Sequence, residues 1–335
     1  MVRCHQTNQV VIHNMLNPIY NHILKKFPEL FLMLFVGLSN HVLAAYPDKP
    51  IHFISSTAAG GPLDTMARTM AKMLSEELKQ PVIVENKPGG TGILAMNYAL
   101  NQAADGYTIV TATGSTSFML AEGNASFTEN DFIFISGLQS EPTALAVVKS
   151  SPIKNLEDFL QFVKNEPEKV NIAGYGNAGF NQLVYSKFQQ QANFKGAWVP
   201  YTSAGQVVLS LLGGQVPAAV ITPSSAISQI QNGDIRLLAL STAKRDLYFP
   251  KVPTFKEKGF NIVESLWRGI MVKKGTSNEV LTKLTTAIAN VEKTPEWRRF
   301  MAENAQSSMN LSVDQMQEFV KNEIATRKAF LNQLK

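Results

Sequence analysis

A two-lobed α/β fold is predicted by three features of this 335-residue chain. Short β-rich runs alternate with amphipathic helical stretches, the pattern of strands joined by helical crossovers in largely parallel sheets. Helix starts carry capping sequences, so the helical stretches have defined beginnings. The third feature is size: about 290 residues follow a leader-like segment, more than the usual single domain, and 45% apolar residues supply a sizeable core.

The elements follow in chain order. Lys25 and Lys26 precede the apolar run from Leu30 to Leu38, and Val42-Leu43-Ala44-Ala45 comes next. This is the n-region, h-region and small-residue cleavage pattern of a secretory signal, with an apolar part too short to span a bilayer comfortably. Residues 1–45 are therefore read as a signal peptide, with the mature chain starting near Tyr46. An uncleaved anchor is the alternative, and Met15 is an alternative start for the leader. Strands are expected at Ile51–Ser55, Val82–Glu85, Thr108–Ala112, Leu145–Val148, Val170–Ala173, Ala218–Thr222, Leu237–Ser241 and Ile270–Val272. Asn155 ahead of LEDFLQFVKN marks one helix start, and Thr276-Ser277-Asn278-Glu279 and Ser312-Val313-Asp314-Gln315 read as capping boxes. Leu281, Leu284, Ile288 and Val291 share one helical face and are read as core. No internal repeat, low-complexity linker or heptad array interrupts this order.

Composition excludes several chemistries. Loss of residues 1–45 removes Cys4 and four of the five histidines, leaving His52 alone. A disulfide framework, a Cys/His zinc site and a Cys–His nucleophile pair are thereby excluded. His52 lies inside the first strand and reads as an outward-facing residue, and Gly114-Ser115-Thr116-Ser117 fails as a nucleophile elbow. The net charge falls from +5 to +3 when Arg3, Lys25, Lys26 and Glu29 leave, and no basic run suggests nucleic acid.

Two turns carry the functional signal. Behind the first strand, Thr57-Ala58-Ala59-Gly60-Gly61-Pro62 has no bulky side chain, and Pro62 suits the first helical position, where no N–H is needed. Its amides, backed by the helix macrodipole, favour a carboxylate or phosphate; an ordinary βα connection is the competing reading. The second turn, Gly174-Tyr175-Gly176-Asn177-Ala178-Gly179, matches G-x-G-x-x-G between a strand and a helix starting at Phe180. A dinucleotide site also requires a ribose-binding acid about twenty residues on. No Asp or Glu occurs between Glu168 and Asp234, so an NAD-dependent oxidoreductase is only the alternative function. The same stretch holds Lys187 and Lys195 as its charges after Lys169, and it suits the second wall of an anion site. A helix end is worth at most about 2 kcal/mol to a bound charge, whereas micromolar affinity needs about 8 kcal/mol. Several charge-assisted hydrogen bonds inside a closing cleft must supply the rest.

The segments YPDKPI, AAGGPLD, QPVIVENKPGGTGILA, ADGYTIV, GYGNAGFNQL, VPYTSAG, LLGGQV, LLALST, PKVPTFKEKGF and LWRGIMVKKGTSNEVLTKL occur in this order from Tyr46 onwards. Together they resemble the Bug/TctC family of periplasmic substrate-binding proteins, which serve tripartite tricarboxylate transporters. The resemblance implies a type II periplasmic binding protein fold, with two α/β lobes of mostly parallel sheets joined by two hinge crossovers. It places lobe 1 at residues 46–145 and 268–335, and lobe 2 at 146–267. It implies a non-enzymatic, monomeric periplasmic receptor without cofactor or metal, with a small carboxylate as ligand and a membrane transporter as partner. A solute receptor for a sensor kinase is the remaining alternative.

Carried over residue by residue, the ligand carboxylate meets main-chain amides of Thr57, Ala58, Ala59, Gly60 and Gly61 on one side and of Asn177, Ala178 and Gly179 on the other. Asp64 matches the acid of the first-turn motif and also suits a helix N-terminus by its charge. Departures concern the ligand. Asn181 stands where a histidine is common, Ser210 and Pro217 where acids are common, and Tyr201-Thr202-Ser203 replaces YKG. Ser115, Thr202, Thr222 and Ser224 remain as neutral cleft contacts, each with a turn or surface role as its alternative. Arg268, beside Trp267, reads as a solvated charge, with a distal carboxylate as its other possible partner.

Overall fold

The computed structural model describes residues 45–177 and 179–333; the leader expected at residues 1–45 lies outside them apart from Ala45. Among the described residues ten strands form two five-stranded sheets. The first contains β1 (Ile51–Ser55), β2 (Val82–Asn86), β3 (Thr108–Thr113), β4 (Phe132–Pro142) and β10 (Ser265–Lys273), in the order β2-β1-β3-β10-β4. The second contains β5 (Ala144–Val148), β6 (Asn171–Tyr175), β7 (Ala197–Tyr201), β8 (Ala218–Ile221) and β9 (Ile235–Leu240), in the order β7-β6-β8-β5-β9.

Within each sheet the strands linked by helical returns are parallel: β1 to β2 and β3, and β6 to β7 and β8. The strands that arrive from the other sheet run the opposite way: β10 is antiparallel to β3 and β4, and β5 to β8 and β9. Both sheets are therefore mixed. Alternation of strand and helix reports only the helical returns, because a strand entering from another sheet needs no crossover helix.

The chain changes sheet at Thr143 and returns after β9. The two crossing segments meet at Ser241, whose N–H donates to the Thr143 carbonyl (2.9 Å) and whose hydroxyl accepts from the Thr143 N–H (2.9 Å). Glu264 N–H donates to the Ser241 carbonyl at 2.8 Å, so three strand ends share one hydrogen-bonded node.

Two strands escape the sequence reading. β4 is buried along both faces, and its apolar start at residues 132–135 gives way to buried polar residues such as Gln139 and Glu141, so no alternation of apolar and polar residues marks it. β7 contains Pro200, which argues against a central strand, and β7 is indeed an edge, pairing only with β6.

Ten helices cover the sheets among the described residues: α1 (Pro62–Leu78), α2 (Ile93–Leu100), α3 (Gly114–Glu122), α4 (Leu156–Asn165), α5 (Phe180–Ala192), α6 (Ala204–Leu212), α7 (Ile227–Gln231), α8 (Asn278–Glu292), α9 (Pro295–Glu303) and α10 (Val313–Gln333). In α8, Leu284, Ile288 and Val291 are buried against Met66 and Met70 of α1, with Leu281 partly buried beside them. α2, α3 and α10 line the opposite face through Met96, Met119, Met316 and Val320. The Asn155 cap forms as expected, accepting from the Asp158 N–H at 2.8 Å, and Ser312 and Gln315 make the reciprocal capping pair. At α8 the cap is Ser277, one residue later than the box predicts, because the Thr276 hydroxyl turns back to the Lys273 carbonyl.

Candidate functional site

The first turn leaves the C-terminal end of β1. Gly61 takes the N-cap position of α1 in an extended conformation (φ −86°, ψ 170°) with no side chain capping the helix, and Pro62 follows at N1. Ala58, Ala59 and Gly60 are exposed, and nothing lies within 4 Å of a Cβ placed on Gly60 or Gly61. Gly60 has φ +86°, a left-handed conformation that glycine adopts without strain. One expected contact changes character: the Gly60 N–H donates to Asp64 Oδ2 at 2.9 Å and is held by the protein itself. Asp64, 2% exposed, also accepts from Asn86 Nδ2 (2.7 Å) and Arg68 Nε (2.9 Å), and the same Asn86 nitrogen reaches the Thr57 carbonyl (3.0 Å). Burial raises the Asp64 carboxyl, but the hydrogen bonds from Arg68, Asn86 and Gly60 outweigh it and hold its pKa below the ordinary carboxylate range. Asp64 thus shapes the turn from behind. The Thr57 hydroxyl is buried with no hydrogen-bond partner.

Capping separates this helix start from most others. α3, α4, α6, α8, α9 and α10 have their first-turn amides met by Thr113, Asn155, Ser203, Ser277, Thr294 and Ser312. α1, α2 and α5 have glycine N-caps and no side-chain cap; at α2 the preceding 3-10 turn already takes the Ile93 and Leu94 amides onto the Gly90 and Gly89 carbonyls, so the starts of α1 and α5 are the two suited to an external acceptor. The uncapped start of α2 was missed from sequence. It adjoins the first turn, since a Cβ on Gly92 would sit 3.5 Å from that of Ser56, and the run Lys87-Pro88-Gly89-Gly90-Thr91-Gly92 was its signal. Ser115, half-buried at the start of α3, has its amide taken by the Thr113 hydroxyl at 3.0 Å.

The second turn explains its own glycines without a nucleotide. A Cβ on Gly174 would lie 1.9 Å from the Trp198 ring, so this glycine makes room for an indole whose Nε1 donates to the Gly176 carbonyl at 3.0 Å. Gly176, at φ +73°, donates to the Tyr201 carbonyl, and Gly179 is the uncapped N-cap of α5. Asn177 is exposed; Ala178 lies outside the described residues. Asn181 is buried and donates to the Val220 carbonyl at 2.8 Å, tying α5 to β8. Asn181 and Thr222 meet around a cavity of about 40 Å³ with Tyr175, Ser225 and Leu266. Thr202 stands apart, exposed, its amide and hydroxyl on Gln206.

Contacts between the two sheets' elements join these walls. Arg327 of α10, 1% exposed, lies over Phe118 of α3 at 5.3 Å and Phe180 of α5 at 5.9 Å, and pairs with Glu264 at 3.0 Å. Arg268 corrects the sequence reading: it is 4% exposed and paired with Glu141, not solvated. Glu141, the one charge between Asp131 and Lys149, also accepts from the Ser224 hydroxyl (2.9 Å) and N–H (3.2 Å). Ser224 is therefore turned toward an acid.

The 40 Å³ space holds about one water, far below the usual size of a ligand pocket. A larger groove of about 640 Å³ runs between α1 and α8–α9, but Glu76, Glu77 and Glu296 line it and would repel an anion. Chemistry, not volume, favours the turns. Among the described residues no cluster of His, Cys, Asp and Glu is placed to hold a metal ion, and no helix is long and apolar enough to cross a membrane.

A family model described as the tripartite tricarboxylate transporter family receptor, TctC, matches residues 66–335. The chain is similar to protein BugT of Bordetella pertussis, 29% identical over 83% of this chain and 87% of the relative. A solved periplasmic transporter superposes with a TM-score of 0.80 at 27% identity, covering 87% of this chain and 99% of that one. MatC of Rhodopseudomonas palustris with bound malate superposes at 0.76 with 23% identity, covering 85% and 99%, a likeness of fold.

Proposed function

The chain belongs to the tripartite tricarboxylate transporter receptor family, and from that premise we propose that it captures a small organic carboxylate between two lobes and delivers it to a tripartite tricarboxylate-type membrane transporter. It is a solute receptor, not an enzyme. The observation that carries the ligand class is the pair of uncapped helix starts at Gly61 and Gly179, each behind a small-residue turn, where the other long helices among the described residues have side-chain caps or, at α2, a backbone turn that takes the first amides. Amides of that kind bind an anion without a basic side chain. The malate held by the structurally similar MatC supports the same class.

Lobe 1 is residues 46–145 with 268–335 and lobe 2 is residues 146–267, a division that follows the two sheets to within three residues, since β5 begins at Ala144 and β10 at Ser265. Thr57, Ala58, Ala59, Gly61, Asn177, Ala178 and Gly179 hold the carboxylate, with Asp64 and Gly60 shaping the first turn and Asn181 and Thr222 behind the second. Closure of the lobes on the ligand presents one conformation to the transporter. The receptor acts in the periplasm as a monomer after cleavage near Ala45. Thermal-shift titration of protein starting at Tyr46 against mono-, di- and tricarboxylates is expected to raise Tm by mass action. No shift across the panel, with no acid found by native mass spectrometry of protein from its own periplasm, overturns the reading.

A further inference from the structure

Arg268 presents an unsatisfied donor at the junction of the two sheets. Its neighbours in register are Thr113 on β3 and Gln139 on β4, so its side chain leaves the face they share, where β3 ends and α3 begins. Glu141 engages Nη2, while Nη1 is buried with no hydrogen-bond partner. Both carboxylate oxygens of Glu141 are also engaged by Ser224, on the turn behind β8. The guanidinium is therefore held from the first sheet's side by an acid that the second sheet's turn fixes in place.

This cluster adjoins the cavity described above. Leu266 lies on the same strand face as Arg268, two residues away, and lines the cavity; Thr222 and Ser225 line it and flank Ser224. Arg268 and Glu141 together carry no net charge, so the pair does not repel an acid, and Nη1 retains donor capacity in the planar geometry that suits a carboxylate. A pair needed only for packing would be replaceable by apolar residues.

We propose that Arg268 is the specificity-determining residue of this receptor, taking the second acidic group of a short-chain diacid with Nη1 while the helix-start amides hold the first, and that Glu141 is its positioning residue. The proposal rests on the carboxylate reading. Distance is compatible with it. β10 lies two strands from β1, about 10 Å at ordinary strand spacing, and a hydrogen bond of about 3 Å at each end leaves the length of a short carbon chain.

The test is calorimetric titration with succinate, malate and adipate against butyrate and hexanoate. Wild type is expected to bind a diacid at least about tenfold more tightly than the monoacid of equal length, the worth of one charge-assisted hydrogen bond. The double variant E141Q/R268Q, which removes both charges and leaves neither unpaired, is expected to lose that preference and keep its monoacid affinity. If it does not fold, Arg268→Lys keeps a cation for Glu141 and is expected to weaken the diacid at least fivefold, by loss of the forked donor. Equal affinity of wild type for monoacids and diacids overturns the assignment of Arg268 and leaves the carboxylate reading standing, as does a diacid preference that survives either variant. Wild type that binds none of these acids overturns both.

Discussion

Gly61→Asp separates the two uses of a helix N-terminus, stabilising its own helix and holding a ligand. Gly61 has the extended N-cap backbone that an aspartate adopts, and open space surrounds the position of its Cβ. The new carboxylate caps α1 for a few tenths of a kcal/mol over glycine and adds about 0.3 to 1 kcal/mol against the macrodipole. The folded state is thus expected to gain about 1 kcal/mol. The same side chain occupies the amides proposed for the ligand. Displacing it costs about 1 kcal/mol, and a ligand carboxylate about 4 Å away is repelled by about 1 to 4 kcal/mol at effective dielectric constants between 80 and 20. A loss of at least about 2 kcal/mol, or about thirtyfold in Kd, follows. Urea unfolding of the unliganded protein and calorimetric titration with a bound acid read the two effects separately. A variant that is as stable as wild type or more so and binds the acid unchanged would refute the idea that the α1 amides hold the anion.

Asp64→Ala removes three hydrogen bonds to a buried carboxylate; the half-exposed Arg68 rehydrates, so about 3 to 5 kcal/mol is expected from Gly60 and Asn86, read by urea unfolding. Because the Asp64 pKa is depressed in the fold, its stabilisation is complete above the ordinary carboxylate range and is lost as the pH falls through the folded-state value; Asp64→Asn should flatten that acid limb. Glu292 has the opposite sign: burial pushes its carboxyl up to about 7, so stability falls as pH rises from about 4.5 to about 7, and Glu292→Gln should abolish that slope in melting curves. Gly174→Ala drives a methyl into the Trp198 ring and is expected to cost at least about 1 to 3 kcal/mol; an unchanged melting temperature would show that the indole moves freely.

Local chemistry was legible from the chain itself. The capping residues, the apolar face of α8 and the two small-residue turns at Thr57–Gly61 and Asn177–Gly179 depend on neighbours within a few positions, where propensity and hydrogen-bonding capacity act directly. The missing acid between Glu168 and Asp234 argued against a dinucleotide, and the structure supplies the positive reason, an indole lying on Gly174. What only the tertiary structure decided involves partners far apart in sequence. Glu141 lies 83 residues from Ser224 and 127 from Arg268, and no local period announces that elements from two sheets will bring them together. Arg327 likewise finds Phe118 and Phe180 across more than a hundred positions. A backbone anion turn is written into its own few residues, because small side chains and a helix start suffice to form it. The charge proposed to recognise the far end of the ligand is fixed only by folding, since a buried arginine needs an acid beside it and the chain brings that acid from another strand.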